Sequence, residues 1–322
     1  MKRIDAHVHL LGDKSGGNGC QFSPGWRLPM VNWMLHHLGL QPLRKIKNLD
    51  QQYIERLLEL VRTSSLDAIV ILAHDHVYDE QGKRIDLKNN YHIPNSYVLQ
   101  LAKKYSEFLP AISIHPARAD ALEELDRCLD GGAAMMKILP NCHNINCNDL
   151  RYKNFWERMA QARLPLLAHT GGEHTLPILN KKYADPEVLR LPLECGVNVI
   201  AAHSATKSGL FDPNYLKKLV SLIAQYPNLY ADNSAFNIPF RSRYFKQALE
   251  SPLVERMVHG SDFPVLIYGH WAWMRGLIDW QTFRQWQNQT NVLERDYQIK
   301  KAIGFPEETF TRMNHLLRSA TG

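Results

Sequence analysis

This 322-residue sequence has no long hydrophobic run and no apolar leader near its first residue. Its longest uninterrupted apolar stretch is residues 68–73, whereas a membrane-spanning helix needs about 20 predominantly apolar residues. A secretory signal would show a basic segment followed by an apolar one, and the N-terminus shows neither. We therefore expect a cytoplasmic protein without a membrane-spanning segment.

Cysteine is scarce, with five residues at irregular spacing. An odd number of scattered cysteines is typical of free thiols in a reducing compartment. Cys142, His143 and Cys147 lie close together in the chain, but a structural zinc site needs a second ligand pair, which the sequence lacks. The pattern therefore disfavours a structural zinc cluster.

Charge of one sign is not concentrated in any segment. The chain has 38 Lys and Arg against 32 Asp and Glu, a net charge of +6, without a run of like charges or a nucleic-acid-binding motif. This balance predicts a solvated surface and no nucleic-acid partner. At most it favours a small acidic substrate, and it leaves a homo-oligomer open.

The sequence does contain a regular alternation of buried-type strands and amphipathic helices. Helical patterns begin near Asp50, Asn95 and Asp120, recur over 155–162, 186–195, 213–225 and 244–249, and a last one begins at Pro306. The predicted strands are residues 2–10, 67–73, 108–114, 133–138, 164–168, 197–202, 228–231 and 256–259. Continuous apolar strands separated by helices are typical of a parallel sheet covered on both faces.

Eight such strands predict an α/β fold of the (β/α)8 TIM-barrel type, with a doubly wound open sheet as the alternative. We expect one domain spanning residues 1–322. A long connection rich in Gly and Trp, residues 11–48, follows the first strand and is expected to fold over the site as a loop insertion. The tail from residue 269 is expected to add helices to the barrel.

The residue at the C-terminal end of every predicted strand is polar or ionisable. These residues are His9, His74, His115, Lys137, His169, His203, Asp232 and Asp262. In a parallel barrel these ends converge on one rim, where active sites of this fold lie. A lone histidine there is usually structural, but five together favour a metal centre.

The first strand supplies half of such a centre. His7 and His9 are two residues apart and therefore project from one face of the strand, and Asp5 has the same parity. A second His-x-His pair, His74 and His76, stands at the next strand end and leaves an alternative ligand pair open.

Five short motifs, in order along residues 4 to about 265, resemble those of the amidohydrolase superfamily. They are IDAHVH (4–9), KILP (137–140), LAHTG (167–171), AAH (201–203) and HGSDFP (259–264). The sequence is similar to the branch of amidohydrolase-related metal-dependent hydrolases of TIM-barrel fold, which includes aminocarboxymuconate-semialdehyde decarboxylase. The resemblance implies that the metal ligands are His7, His9, His169 and Asp262. It implies a proton-handling or substrate-polarising role for His203.

These implied ligands suit zinc, with manganese, iron or nickel as alternatives, because sites rich in imidazole discriminate weakly among late divalent ions. An open position would hold a water whose pKa the ion lowers to about 7. Asp262 could accept the proton of that water and deliver it to a leaving group, so we count it as catalytic as well as ligating.

Several choices stay open. Relatives with two ions place a carbamylated lysine at the position of Lys137, but we favour one ion with Lys137 on the substrate side. Asn141 is expected at the rim, and Arg241 is a candidate to hold a substrate carboxylate. We expect hydrolysis of a small amide, lactone or similar carbonyl compound. The alternatives are decarboxylation of a small unsaturated or aromatic acid and an inert metal-binding barrel.

Overall fold

A computed structural model of the chain describes residues 1–87, 91–265 and 267–318. Eight parallel strands follow one another in chain order around a single sheet. They are β1 (Ile4–His9), β2 (Ala68–Leu72), β3 (Phe108–Ile112), β4 (Met135–Ile138), β5 (Leu166–Ala168), β6 (Val199–Ala201), β7 (Leu229–Asp232) and β8 (Met257–Val258). The ring is completed by a parallel bridge between Val8 and Phe263 and by the Asp262 N–H, which donates to the His7 carbonyl. The predicted TIM barrel is therefore confirmed, and the open-sheet alternative is wrong.

The helices surround this sheet and extend beyond it at the C-terminus. They are α1 (Leu28–His37), α2 (Leu49–Arg62), α3 (Asn95–Lys104), α4 (Ala121–Asp130), α5 (Pro140–His143), α6 (Lys153–Gln161), α7 (Arg190–Glu194), α8 (Leu216–Gln225), α9 (Phe245–Ala248), α10 (His270–Met274), α11 (Trp280–Gln287), α12 (Val292–Ile303), α13 (Glu307–Thr311) and α14 (Met313–Leu316). Each interstrand helix predicted from the sequence has a counterpart. No helix of the described residues is both long enough and apolar enough to cross a membrane.

Helix α2 illustrates why the helical patterns could be read from the sequence. The Asn48 side chain caps its first turn by accepting from the Gln51 N–H. Leu57, Leu58 and Val61 recur at helical spacing and are all buried against the barrel.

The barrel interior has its own apolar cluster, separate from the larger core between strands and helices. It contains Val70, Met135 and Leu167 from the strands, and Met313 and Leu316 of α14 join it from the C-terminal tail. The C-terminal tail packs at the end of the barrel where the strands begin; for example, the Arg318 N–H donates to the Ala134 carbonyl just before β4. Helix α14 therefore closes the end of the barrel opposite the predicted site.

A register shift between Asp5 and Val8 corrects one expectation about β1. Before the shift, Asp5 pairs with Ile69, whose side chain packs in the outer core; after it, His9 pairs with Leu72, which lies in the interior cluster. His7 and His9 thus keep a common face, but Asp5 does not share it. The bulge could not be read from parity, because parity assumes an uninterrupted strand.

The insertion after β1 is more ordered than the predicted loop. It contains the ten-residue helix α1, and Gln21–Phe22 pairs antiparallel with Tyr91–His92. Buried Asp50 ties its first part down by accepting from the Asp13 N–H at 2.7 Å and the Asn18 amide at 3.0 Å.

The C-terminal helices support the strand ends that carry the site. In α12, the Lys300 ammonium forms a fully buried pair with Asp296, 2.6 Å apart, and also donates to the Gly260 carbonyl at 2.7 Å. Gly260 lies where an added Cβ would come within 2.9 Å of the His7 Cβ. The hydrogen bond from Lys300 to Gly260 therefore holds the segment leading to Asp262 close against β1.

Candidate metal centre and its cavity

Three of the four predicted ligands converge at the C-terminal end of the barrel. The Nε2 atoms of His7 and His9 lie 3.2 Å apart. Asp262 Oδ1 lies 3.2 Å from the first and 3.4 Å from the second. In a tetrahedral zinc site with ligands at about 2.0–2.1 Å, neighbouring ligand atoms are about 3.3–3.4 Å apart. The triangle therefore has the dimensions that one ion requires.

The protonation states of His7 and Asp262 also suit the binding of a metal cation. Burial lowers the pKa of His7 to about 4, and the charge of Lys137 acts in the same direction. Burial alone would raise the pKa of Asp262, but the adjacent His7 and His9 bring it down to about 2. At neutral pH His7 is therefore neutral and Asp262 is a carboxylate, which are the forms that bind metal.

Asp232, at the end of β7, sets the hydrogen positions of two histidines. Its Oδ2 accepts from His7 Nδ1 at 2.8 Å, so the lone pair of His7 lies on Nε2, facing the triangle. Its Oδ1 accepts from the Ser234 hydroxyl at 2.5 Å, and Ser234 Oγ is 2.7 Å from His203 Nδ1. Because the serine proton is used on Asp232, His203 Nδ1 must donate to Ser234, which leaves His203 Nε2 as a proton acceptor.

The backbone at the two predicted catalytic residues is left-handed. His203 has φ 59°, the next two residues have φ 49° and 53°, and Asp262 has φ 66°. Non-glycine residues in this region are strained and persist only where neighbouring contacts hold them. The His203 N–H donates to Asp232 Oδ1 at 2.6 Å, and the Asp262 N–H donates to the His7 carbonyl at 2.9 Å. Strain held in place at both residues is typical of a functional site.

His169, the fourth predicted ligand, lies beside the triangle rather than in it. Its ring centre is 4.9 Å from that of His203, whose ring is 5.1 Å from that of His7. Ligand atoms of His7, His9 and Asp262 lie within 4.8 Å of one another, as do those of His7, His203 and Asp232, and neither group includes His169. However, His169 Nε2 is buried and has no hydrogen-bond partner among the described residues, and burial lowers the pKa of its ring well below the usual value. An unpaired, neutral nitrogen at this position suits a ligand whose partner is a cation.

The predicted substrate-side residues are in different environments. Lys137 is fully buried, with Nζ 3.0 Å from His7 Nε2, and burial lowers its pKa to about 8. Asn141 is buried too, and neither its side-chain oxygen nor its nitrogen has a partner within the described parts of the chain. Arg241 borders the cavity above the triangle, whereas Lys137 and Asn141 are not among the described residues that line it.

The cavity above the triangle measures about 230 Å³. His9, His169, His203 and Asp262 border its inner end. Most of the remaining wall is apolar and includes Phe22, Met30, Val31, Met34, Leu139 and Ile238. Several of these come from the insertion, so the segment expected to fold over the site does contribute to it.

Glu173 also borders this cavity and was missed by sequence reasoning. Gly171 and Gly172 let the chain pass close to the segment that follows β6, because an added Cβ at Gly171 would come within 2.3 Å of the Thr206 carbonyl oxygen and one at Gly172 within 2.0 Å of Asp212 Oδ2. Glu173 Oε1 accepts from the Leu176 N–H at 3.0 Å and from both the N–H and hydroxyl of Thr175. Oε2 is 3.7 Å from His169 Nε2. The only sequence signal was the glycine pair that separates Glu173 from the strand-end segment of His169.

Neither His74 nor His76 belongs to a three-donor cluster among the described residues. Instead, His74 Nε2 lies 3.1 Å from His143 Nε2, and His76 stacks on His92 with ring centres 3.7 Å apart. The geometry thus favours the β1 pair over this second His-x-His pair as the metal-binding one.

Comparison with known proteins agrees with this description. A family model described as amidohydrolase matches residues 4–283. Sequence comparison with curated proteins finds no match. Similar solved structures include an uncharacterized TIM-barrel protein from Bordetella bronchiseptica, with TM-score 0.60 and 18% identity over 93% of this chain and 99% of that one.

Two further structures carry functional descriptions of their own. A probable 2-pyrone-4,6-dicarboxylic acid hydrolase from Acinetobacter baumannii, with citric acid bound, has TM-score 0.55 and 12% identity over 98% of this chain and all (100%) of that one. The apo form of IDCase from Metarhizium anisopliae has TM-score 0.54 and 12% identity over 98% of this chain and 97% of that one. At such identities the likeness shows the fold alone.

Proposed function

We propose, from the premise that this chain belongs to the amidohydrolase family, that it is a metal-dependent hydrolase of a small carbonyl compound such as an amide or a lactone. The observation that carries the proposal is the triangle of His7 Nε2, His9 Nε2 and Asp262 Oδ1 at the inner end of an apolar cavity. Family membership supports an enzyme, and the donor set supports a metal-dependent one.

His7, His9 and Asp262 would hold one divalent ion, most suitably zinc, with His169 as the fourth ligand. When bound, the ion supplies a Lewis acid that polarises a carbonyl group and acidifies water. Asp232 keeps the Nε2 lone pair of His7 directed at the ion position through the Nδ1 hydrogen bond.

His203 and Asp262 are the proposed proton-handling groups. His203 borders the cavity, and its hydrogen bond to Ser234 leaves Nε2 free to accept a proton from water or to bind the substrate carbonyl once protonated. Asp262 can accept a proton through its carboxylate and return it to a departing nitrogen or oxygen. Arg241 is the proposed substrate contact on the cavity wall. Lys137, with Nζ 3.0 Å from His7 Nε2, and Asn141 are further proposed substrate-side residues.

We favour a single ion. Lys137 Nζ already lies 3.0 Å from His7 Nε2, and it would have to become a carbamate to bridge a second ion. The inert-barrel alternative does not account for the cavity or for the proton-accepting tautomer of His203.

The second candidate function is metal-dependent decarboxylation. It is favoured by Arg241, a buried guanidinium on the cavity wall for which Asp262 is the strongest opposing charge. A cation that borders the same cavity as the centre could hold the carboxylate that is lost.

Metal content and product analysis test the proposal together. Protein expressed with excess zinc should contain about one ion per chain by elemental analysis, and His7→Ala should remove most of it. His36→Ala, at an exposed histidine of α1, is the matched control and should keep the ion. A native protein without metal, or a fully loaded His7→Ala protein, would contradict the assignment.

The reaction is identified with amides, lactones and carboxylated aromatic or dienoic acids assayed in ¹⁸O-labelled water. Hydrolysis should place the label in the product acid. Release of carbon dioxide without incorporation of label would replace the hydrolase assignment with the decarboxylase one.

A further inference from the structure

The cavity wall carries a buried guanidinium with incomplete pairing. Arg241 is 3% exposed, and its Nη2 donates to the Gly172 carbonyl at 2.8 Å. Its Nε and Nη1 are buried and have no hydrogen-bond partner among the described residues. Burial of an unpaired charge is costly, so a group of this kind is stable only if an anion or other acceptor completes its shell.

The carboxylates nearest to Arg241 do not supply that anion. Asp262 and Glu173 both act on the guanidinium through their charge, but neither makes a hydrogen bond with it. Asp262 belongs to the metal triangle, and Glu173 Oε1 is occupied by the backbone and side chain of the Thr175 turn. The N–H groups of Arg241 Nε and Nη1 are therefore available to a ligand in the cavity.

The other cations near the cavity are already engaged. Arg27, on the insertion, donates from Nε to the His174 carbonyl at 3.2 Å and from Nη2 to the Leu176 carbonyl at 3.3 Å. Lys137 Nζ lies 3.0 Å from His7 Nε2 and is not among the described residues that line the cavity. Among the described lysines and arginines that border the cavity, Arg241 is thus the one with buried donors that lack a partner.

Glu173 opposes a second anion. Its Oε2 has no hydrogen-bond partner within residues 1–87, 91–265 and 267–318, and it borders the same cavity as Arg241. A second carboxylate placed beside Glu173 would meet this negative charge, and the apolar side chains of α1 cannot offset it. The part of the cavity that Glu173 borders therefore disfavours a second carboxylate.

We propose that this cavity, in the enzyme proposed above, selects monocarboxylates with an apolar body. The carboxylate pairs with Arg241, the apolar part packs against Phe22, Met30 and Met34, and Glu173 rejects dicarboxylates. The Acinetobacter structure is described as a probable hydrolase of a dicarboxylic acid, so the selectivity proposed here differs from that description. The inference rests on the proposed function for its site but needs no turnover to be tested.

Three matched probes separate charge from shape. They are 3-phenylpropionate, its neutral amide 3-phenylpropionamide, and phenylsuccinate, which adds a second carboxylate to the same skeleton. Affinities are measured by titration calorimetry on metal-loaded protein and again after chelation, because a carboxylate can also bind an ion directly. In both forms we expect 3-phenylpropionate to bind at least about tenfold more tightly than the amide, the scale of a charge-assisted hydrogen bond. It should also bind more tightly than phenylsuccinate.

Two variants assign these preferences to residues. Arg241→Met should bring the acid-to-amide ratio of affinities close to one, whereas Arg243→Met, at an exposed arginine two residues away, should keep the wild-type ratio. Glu173→Gln should bring the affinity for phenylsuccinate up towards that for 3-phenylpropionate. Circular dichroism of each variant checks that it is folded, and the probe comparison on the native protein stands if a variant is not.

The outcomes are distinct from those that test the proposed function. Equal binding of acid and amide by chelated native protein, or tighter binding of phenylsuccinate, overturns the inference even if hydrolysis is observed. A preference for the monocarboxylate that Arg241→Met abolishes supports it even if the assays find decarboxylation or no turnover.

Discussion

At the scale of single residues, Asp232 connects ion binding with proton handling. One carboxylate accepts from His7 Nδ1, from the His203 N–H and from the Ser234 hydroxyl. It therefore determines which nitrogen of each imidazole is free to act, although it does not border the cavity.

Asp232→Asn should weaken ion binding without removing a ligand. An amide nitrogen facing His7 Nδ1 would favour the tautomer with its proton on Nε2, so we expect an affinity about 10–100-fold lower, the usual effect of losing a partner of a ligating histidine. Zinc affinity measured by competition with a chromophoric chelator checks this. Ser234→Ala is the matched control: it removes the hydroxyl that bonds His203 Nδ1 and Asp232 Oδ1 but keeps the bond from His7 Nδ1 to Asp232 Oδ2, so it should lower turnover while ion affinity stays at the native value. Equal zinc affinity in Asp232→Asn and native protein would contradict the orienting role.

His203→Asn should separate chemistry from ion binding. We expect nearly native metal content and turnover lower by about a hundredfold or more, the scale of a lost proton-transfer group. Elemental analysis and kcat on the same preparation provide both numbers. Loss of the ion in this variant would instead make His203 a ligand.

The sequence could indicate the titratable residues of the site but not their orientation. His7, His9, His203 and Asp262 were visible as polar residues at strand ends and as family motifs. Asp232 was visible only as a polar strand end, because its role depends on hydrogen bonds across three strands. Glu173 lies on a connecting segment without a motif. Sequence spacing also does not report that the Lys137 Nζ lies 3.0 Å from His7 Nε2, or that the buried Asn141 amide has no partner among the described residues.

At the scale of elements, α1 has one face in the core and another on the cavity. Leu35 is fully buried, whereas Met34 is half-buried and borders the cavity. The helix was not predicted, because Trp, Pro and Gly residues around it are typical of a loop.

Substitutions on these two faces should have separable effects. Leu35→Ala should reduce the free energy of unfolding by about 2–5 kcal/mol through lost burial and a cavity. Met34→Ala should reduce it by less and should change KM instead. Urea unfolding and steady-state kinetics on both variants test the division. Equal losses of stability from the two substitutions would show that the helix packs differently from this description.

The eight strands were predictable because continuous apolar runs with β-branched residues mark buried parallel strands. The exact ends of the strands were less predictable, and the sequence carries no signal for the bulge in β1. The sequence predicts added helices in the tail but not the bounds of α10, α11 and α12. Helix α12 in particular lacks a clear apolar stripe, because it carries buried Asp296 and Lys300 on its core face.

At the scale of the whole molecule, buried histidines should make the free energy of unfolding depend on pH in the acidic range. Burial, the largest cause in each case, lowers the pKa of His115 and His92 to about 4 and that of His76 to about 3, and places those of His74 and His143 well below the usual value. In the unfolded chain they titrate near a pKa of about 6.5. Below that pH the unfolded state binds more protons, so the free energy of unfolding should fall as the pH drops from about 6.5 towards 4.

Urea unfolding of chelated protein at several pH values between 8 and 5 measures this dependence without competition between protons and an ion. His115→Gln removes one such group, and its amide can still donate to the His143 carbonyl that His115 Nε2 now contacts at 3.0 Å. Its stability should depend less steeply on pH. A native free energy of unfolding that stays constant between pH 7 and 5 would contradict the prediction.

The position of α14 bears on how this protein would behave under laboratory evolution. Met313 and Leu316 complete the interior cluster at the end of the barrel where the strands begin, while the cavity residues lie on segments that follow the strand ends. Stability and substrate range therefore reside in physically separate sets of positions. Libraries randomised at Phe22, Met30 and Met34 can search for new substrates, and compensating substitutions around Met313 and Leu316 can restore lost stability without altering the selected activity.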